Sequence, residues 1–160
     1  MRHFVKILTA AAGAASLACT AHAGTSAGPA ITIQATVVQT CGLSTGSSNV
    51  IDFGNYAGTA LTSTATILAT CTLSTPYHVW IDGGTSNNTA ARTLSNGTDV
   101  LNYKLSETSG GADWGTTDAT TQTRTGSGGQ DTITIYASLP AGQNKPAGTY
   151  TDTVHTTISF

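Results

Sequence analysis

Ile133-Thr134-Ile135-Tyr136-Ala137-Ser138-Leu139 sets Ile133, Ile135, Ala137 and Leu139 on one side of an extended chain and Thr134, Tyr136 and Ser138 on the other. A period of two is the mark of a strand with one buried and one wet face. The same pattern recurs outward from this stretch. Leu101, Tyr103 and Leu105 alternate with Asn102, Lys104 and Ser106. Tyr77, Val79 and Ile81 alternate with His78, Trp80 and Asp82, and Asp82-Gly83-Gly84 then reads as a turn. Thr62 to Leu73 is Thr-rich around Ile67 and Leu68, and Val50 to Phe53 is a short apolar piece closed by Gly54-Asn55. Val154, Thr156, Ile158 and Phe160 alternate with His155, Thr157 and Ser159. Thr116 to Gln130 reads as a solvated Thr/Gly/Ser loop. Short strands joined by Gly-rich turns predict one small all-β domain, an antiparallel β-sandwich.

Composition points the same way. Of 160 residues, 32 are Thr, 14 are Ser and 18 are Gly, while Glu107 is the single Glu. Such a chain is short of helix formers and rich in strand and turn residues. Lys and Arg number 6 against 8 Asp and Glu, so there is no basic surface for nucleic acid.

The first segment reads as an address. Arg2 and Lys6 precede an apolar run from Ile7 to Cys19, and Ala21-His22-Ala23 is an A-x-A cleavage signature. These are the parts of a secretory signal peptide, residues 1–23. The run is too short to cross a bilayer core of about 30 Å. A lipoprotein acylated at Cys19 is the rival reading. Cleavage after Ala23 leaves 160 − 23 = 137 residues with two cysteines, Cys41 and Cys71. In an oxidising compartment two cysteines allow one pairing, and no second Cys or His stands at metal-ligand spacing, so a structural disulfide is expected.

Catalytic constellations do not emerge. His78 and His155 fall on the polar faces of their alternations and read as surface residues. Neither a G-x-S-x-G elbow nor an H-E-x-x-H motif occurs. Asp82, Asp99, Asp113, Asp118 and Asp131 lie near turns, where Asp caps its own backbone. Trp80 and Trp114 read as packing residues, with sugar stacking as the functional alternative. The expectation is a protein that is not an enzyme, with no cofactor, no metal and no small-molecule substrate.

Two features remain. The last alternation runs to Phe160, and near the other end Ile31, Ile33, Ala35 and Val37 alternate with Thr32, Gln34 and Thr36 behind a flexible leader, residues 24–30. Such an apolar ribbon either pairs within its own sandwich or adds to the open edge of another molecule.

From Cys41 onward the order of residues resembles the spore coat protein U domain, found in subunits of archaic (Csu-type) chaperone–usher pili. The residues that carry the resemblance are Cys41, then Phe53-Gly54-Asn55-Tyr56, then Cys71-Thr72 leading to Pro76-Tyr77. Ile81-Asp82-Gly83-Gly84, Arg92-Thr93-Leu94, Leu101-Asn102-Tyr103-Lys104-Leu105 and Trp114-Gly115 follow. The tail Gly142-Gln143, then Ala147-Gly148-Thr149-Tyr150-Thr151-Asp152-Thr153-Val154, closing on Phe160, is the most specific part. The resemblance implies an incomplete immunoglobulin-like antiparallel β-sandwich lacking its last strand, with an N-terminal donor-strand segment. It implies an extension over residues 24–40 and a pilin domain over 41–160. Ile31, Ile33, Ala35 and Val37 would form the donor strand, and Val154, Ile158 and Phe160 would line the acceptor groove or the core beside it. The partners implied are identical or related pilin subunits, a periplasmic chaperone and an outer-membrane usher. The expected place is the periplasm in transit and then a surface pilus that supports adhesion and biofilm formation. A secreted coat-like or matrix protein with the same fold, built without an usher, is the alternative, and an extracellular binding module or enzyme a further one.

Overall fold

The computed structural model describes residues 23–46 and 49–160. Apart from Ala23, the expected signal peptide lies outside the described residues. The chain divides into two units between Ala35 and Thr36. In the first, residues 23–35 carry no regular secondary structure.

The second unit is all-β. Its strands are β1 (Cys41–Thr45), β2 (Leu61–Cys71), β3 (Pro76–Ile81), β4 (Arg92–Ser95), β5 (Val100–Ser106), β6 (Arg124–Thr125), β7 (Gln130–Leu139) and β8 (Thr156–Ser159). They form a five-stranded sheet in the order β1-β2-β7-β5-β4 and a three-stranded sheet in the order β6-β3-β8. Every ladder is antiparallel. The two sheets make the sandwich that the alternations predict.

Burial follows the alternation residue by residue. Ile133, Ile135, Ala137 and Leu139 of β7 are buried, and so are Leu101, Tyr103 and Leu105 of β5. From the small sheet, Tyr77, Val79 and Ile81 of β3 bury against them in one core. The longest ladder pairs β2 with β7 from Leu61↔Leu139 to Thr70↔Gln130, which sets Ile67 opposite Ile133 on the inner face. Thr64 and Thr66 oppose Tyr136 and Thr134 on the outer face, where β-branched hydroxyl side chains favour the pleat and meet water.

Three local expectations are corrected. Val50–Phe53 forms no strand; Ile51 and Phe53 pack against the core from a loop. The Thr116–Gln130 segment is not all loop, because it holds a 3-10 turn at Asp118–Thr120 and the short strand β6. His155 precedes β8 rather than lying in it.

Candidate functional site: an open seam between two edge strands

The three-stranded sheet has two edges, and the protein treats them differently. β6 pairs with β3 only at Pro76↔Thr125 and Tyr77↔Arg124. Beyond it, the same side of β3 is completed by other groups. The Trp114 indole Nε1 donates to the Val79 carbonyl at 2.6 Å, and the Ile81 N–H donates to the Gly115 carbonyl at 3.2 Å. Arg92 Nη2 donates to the Ile81 carbonyl at 2.7 Å and to the Trp114 carbonyl. Nε and Nη1 of Arg92 reach the carbonyls of Asp82 and Thr89 at 2.8 and 2.9 Å. Arg92 and Trp114 are buried at 0% and 1% exposure, so this side of β3 is sealed. Burial pulls the guanidinium pKa down from its ordinary value, but four carbonyl acceptors hold the charge.

The other edge is β8. It pairs with β3 from His78↔Ser159 to Ile81↔Thr156, and among the described residues no strand pairs with its far side. The Asp82 N–H donates to the His155 carbonyl, and Val79 and Ile81 face the sealed side. His78 and Trp80 therefore face β8, and by the antiparallel alternation the backbone groups of Thr156, Ile158 and Phe160 point outward.

β1 is the matching edge of the large sheet. The Thr72 N–H donates to the Thr40 carbonyl, and the Gly46 N–H to the Thr66 carbonyl, both at 2.9 Å. Even-numbered residues therefore face β2, and the backbone groups of Cys41, Leu43 and Thr45 point outward. β1 and β8 lie near one another, so the two open edges border a seam.

The floor of the seam is apolar and only half covered. Leu43 is half-buried although its ladder partner Ala69 is fully buried. Ile158 is half-buried although its partner Val79 is fully buried. Val154 is also half-buried, and Phe160 is 58% exposed. The sequence-predicted groove residues thus gather at β8 and its approach, with Phe160 turned more toward solvent than the other two. Leu43, Ile51 and Phe53 join Ile158 and Val154 around the core margin. Sequence reasoning passed over Leu43, whose one signal is its place two residues beyond Cys41.

The approach to β8 is pinned by two carboxylates. Asp152 accepts the Thr85 N–H and hydroxyl at 2.8 and 2.7 Å and the Tyr103 hydroxyl at 2.6 Å. Partial burial raises its pKa, but these bonds outweigh burial and leave it below the ordinary carboxylate value. Burial, and then the bond to Asp152, pushes the Tyr103 hydroxyl well up. Asp82 accepts the N–H groups of Gly84 and His155 at 3.0 Å each, and its other oxygen meets His155 Nδ1 at 3.1 Å. Here too the bonds outweigh partial burial and hold the carboxyl below its usual value. Gly84, with φ +58, passes so close to Asp152 that a Cβ would collide with the carboxylate.

Cys41 and Cys71 form a disulfide with an S–S distance of 2.03 Å. It closes the first pair of the β1–β2 ladder. Just upstream, the Thr72 hydroxyl contacts the carbonyls of Val38 and Thr40 at 3.3 Å each. Residues 36–40 carry no regular secondary structure, and Val37 and Val38 are 83% and 66% exposed. In the first unit Ile31, Ile33 and Ala35 are likewise exposed.

Trp114 has no exposed ring face for a sugar. His78 is not a free surface histidine: Thr121 and Thr123 hydroxyls bracket its two ring nitrogens at 3.0 and 3.4 Å. A cleft lined by Glu107, Asp113, Thr120 and Gln122 lies nearby. Its Glu107 carboxylate accepts the Gln122 N–H at 2.9 Å and lies 3.7 Å from Arg124. Among the described residues, no three His, Cys, Asp or Glu side chains gather as a metal site.

Comparison with known proteins agrees with this architecture. A family model described as the Spore Coat Protein U domain matches residues 27–157. Protein U of Myxococcus xanthus is 45% identical over 47 residues, which cover 29% of this chain and 26% of that protein. The chain also resembles a solved structure, the CsuC–CsuE chaperone–tip adhesion subunit pre-assembly complex from archaic chaperone–usher Csu pili of Acinetobacter baumannii. That likeness has a TM-score of 0.57 and 24% identity, and covers 78% of this chain and 40% of that one.

Proposed function

This chain belongs to the Spore Coat Protein U domain family, and on that premise we propose that it is a structural subunit of a bacterial surface pilus, polymerised by donor-strand exchange. The observation that carries the reading is the seam. Two antiparallel edges border a half-covered apolar floor, and the same chain carries an exposed ribbon of the period that would fill it. β1 and β8 lie closer than the two ladder spacings, about 9.5 Å, that an inserted strand needs, so a strand added between them first parts the edges and then meets outward backbone groups on both sides and sets alternate side chains on the floor. Ile31, Ile33, Ala35 and Val37 span six residue steps, about 20 Å, against about 13 Å for the four steps of β1. Burying Ile31, Ile33 and Val37, now 85%, 94% and 83% exposed, contributes about 1.5–3 kcal/mol each.

In this reading the extension is residues 24–40, the pilin domain is residues 41–160, and Val154, Ile158 and Phe160 line one wall of the acceptor groove. The partners are identical or related subunits, a periplasmic chaperone that covers the seam first, and an outer-membrane usher. The signal peptide delivers the chain to the periplasm, and the pilus serves adhesion and biofilm formation. The family's description as a spore coat domain favours a second reading, a secreted coat or matrix protein whose ribbon completes its own sandwich.

Unboiled gel electrophoresis and size exclusion of the exported protein separate the two. A heat-sensitive ladder is expected from the full chain, and loss of the ladder from a variant lacking residues 24–39. Ile33→Asp should abolish the ladder while Thr32→Asp, on the opposite face, leaves it largely intact. Equal effects from both would refute the donor-strand assignment. A monomeric full chain whose deletion variant unfolds would hand the function to the coat reading.

A further inference from the structure

The ribbon has almost no slack where it meets the sandwich. Val37 is the last residue of its apolar row, and the next residue, Val38, already has its carbonyl against the Thr72 hydroxyl. Thr40 is tied to Thr72 through main-chain and side-chain bonds, and Cys41 begins β1 and carries the disulfide. Whether the last inserted residue is Ala35 or Val37, the spacer is at most two residues, about 7 Å. A copy that accepts the ribbon must therefore abut this end of the donor's sandwich.

The end it meets is apolar where nothing in the monomer asks for it. Val38 is 66% exposed and Leu73, in the β2–β3 turn directly after Thr72, is 68% exposed. Leu73 precedes Ser74, which has φ +63, and the Ser74 N–H donates to the Gly126 carbonyl. The turn is thereby held in shape from a second strand's margin rather than left loose. Two large apolar side chains flank one anchoring residue at the point where the ribbon leaves.

Resting on the donor-strand reading, we propose that Val38 and Leu73 form a second docking surface, which packs against the mouth of the acceptor groove of the next copy of this chain. The ribbon supplies the linkage, and this pair closes the joint around it. Continuity of the chain from the inserted ribbon to the anchored Val38 fixes the occupant as that same copy. With the pair buried, successive sandwiches are held at a set angle; without it they swing about residues 36–37.

The test uses the full exported chain with a photo-crosslinking phenylalanine analogue at position 73. Irradiation of the polymer should give a covalent dimer, and the same substitution in the variant lacking residues 24–39 should give none. A ladder without the crosslinked dimer overturns this inference while sparing donor-strand exchange. A crosslink that persists without the ribbon overturns it too, since the contact would then be independent of insertion. Absence of any ladder from the unsubstituted chain removes both readings. Leu73→Asp, exposed and so harmless to the monomer, should keep the heat-sensitive ladder but lower the yield of long polymers about ten-fold and visibly increase fibre bending in electron micrographs. Unchanged yield and curvature would count against the joint.

Discussion

Replacing Cys41 and Cys71 together by alanine removes the bond that closes β1 onto β2. The closed loop spans 30 positions. Constraint of the unfolded chain then contributes about 3.5 kcal/mol by the loop-entropy relation. Against a usual domain stability of about 5–15 kcal/mol that is a large share, and it corresponds to a fall in Tm of about 10–20 °C for a chain of this size. Equilibrium unfolding in urea, read by tryptophan fluorescence, measures the loss; Trp80 and Trp114 both lie in the sandwich. A difference below about 0.5 kcal/mol would defeat the entropic reasoning. Pulling gives an independent number. Tension on the N-terminal ribbon reaches the sandwich at Val38 to Cys41, and the disulfide passes it straight to β2, leaving residues 42–70 outside the stretched path. The double alanine variant should release about 100 Å of additional contour when its domain unfolds, 30 steps of about 3.5 Å. Equal contour lengths for the two proteins would mean that the bond does not lie in the path of force.

Arg92→Met removes a buried cation from four carbonyl acceptors. The expected cost is about 3–5 kcal/mol, with a smaller loss for Arg92→Lys, whose ammonium cannot span the same fork; urea titrations of the two variants check the order. The folded pKa values of Asp82 and Asp152 are depressed, so their bonds stabilise above the ordinary carboxylate value of 3.8 and are lost as pH falls through the lower folded values. Tm should therefore be flat near neutrality and fall below about pH 4, and Asp152→Asn should flatten that acid limb. An unchanged limb in Asp152→Asn would place the acid sensitivity elsewhere.

The strands were legible because burial here obeys a period of two with few exceptions. β3, β5 and β7 bury the faces that Tyr77, Leu101 and Ile133 begin. The disulfide followed from a count of two. Arg92 was not legible. Its acceptors come from residues 81, 82, 89 and 114, and no spacing rule links a lone arginine to carbonyls that distant chain segments supply. β1, β4 and β6 escaped notice because runs of five, four and two residues, Cys41–Thr45, Arg92–Ser95 and Arg124–Thr125, are too short for a clear periodicity. Val50–Phe53 misled for the converse reason: Ile51 and Phe53 do alternate and do face the core, but burial from a loop produces the same local pattern as burial from a strand.

The family resemblance pointed to Val154, Ile158 and Phe160, but the edges that border the seam needed the structure. Those edges argue for function by contrast with the sealed edge. An unpaired sheet edge invites association, and proteins ordinarily cover it. Here the β6 side of β3 is covered at considerable cost, with a buried arginine and a buried tryptophan supplying donors that a two-residue strand cannot. Covering is thus within the reach of this fold. On the opposite side β8 carries no such cover among the described residues, yet its approach is fixed by Asp82 and Asp152 through bonds of 2.6–3.1 Å. An edge that was merely frayed would not need two carboxylates to hold it in register. An edge held in register and half-buried on its inner face at Ile158 is the template that the proposed incoming strand would require, because the ladder it forms is only as regular as the template it meets.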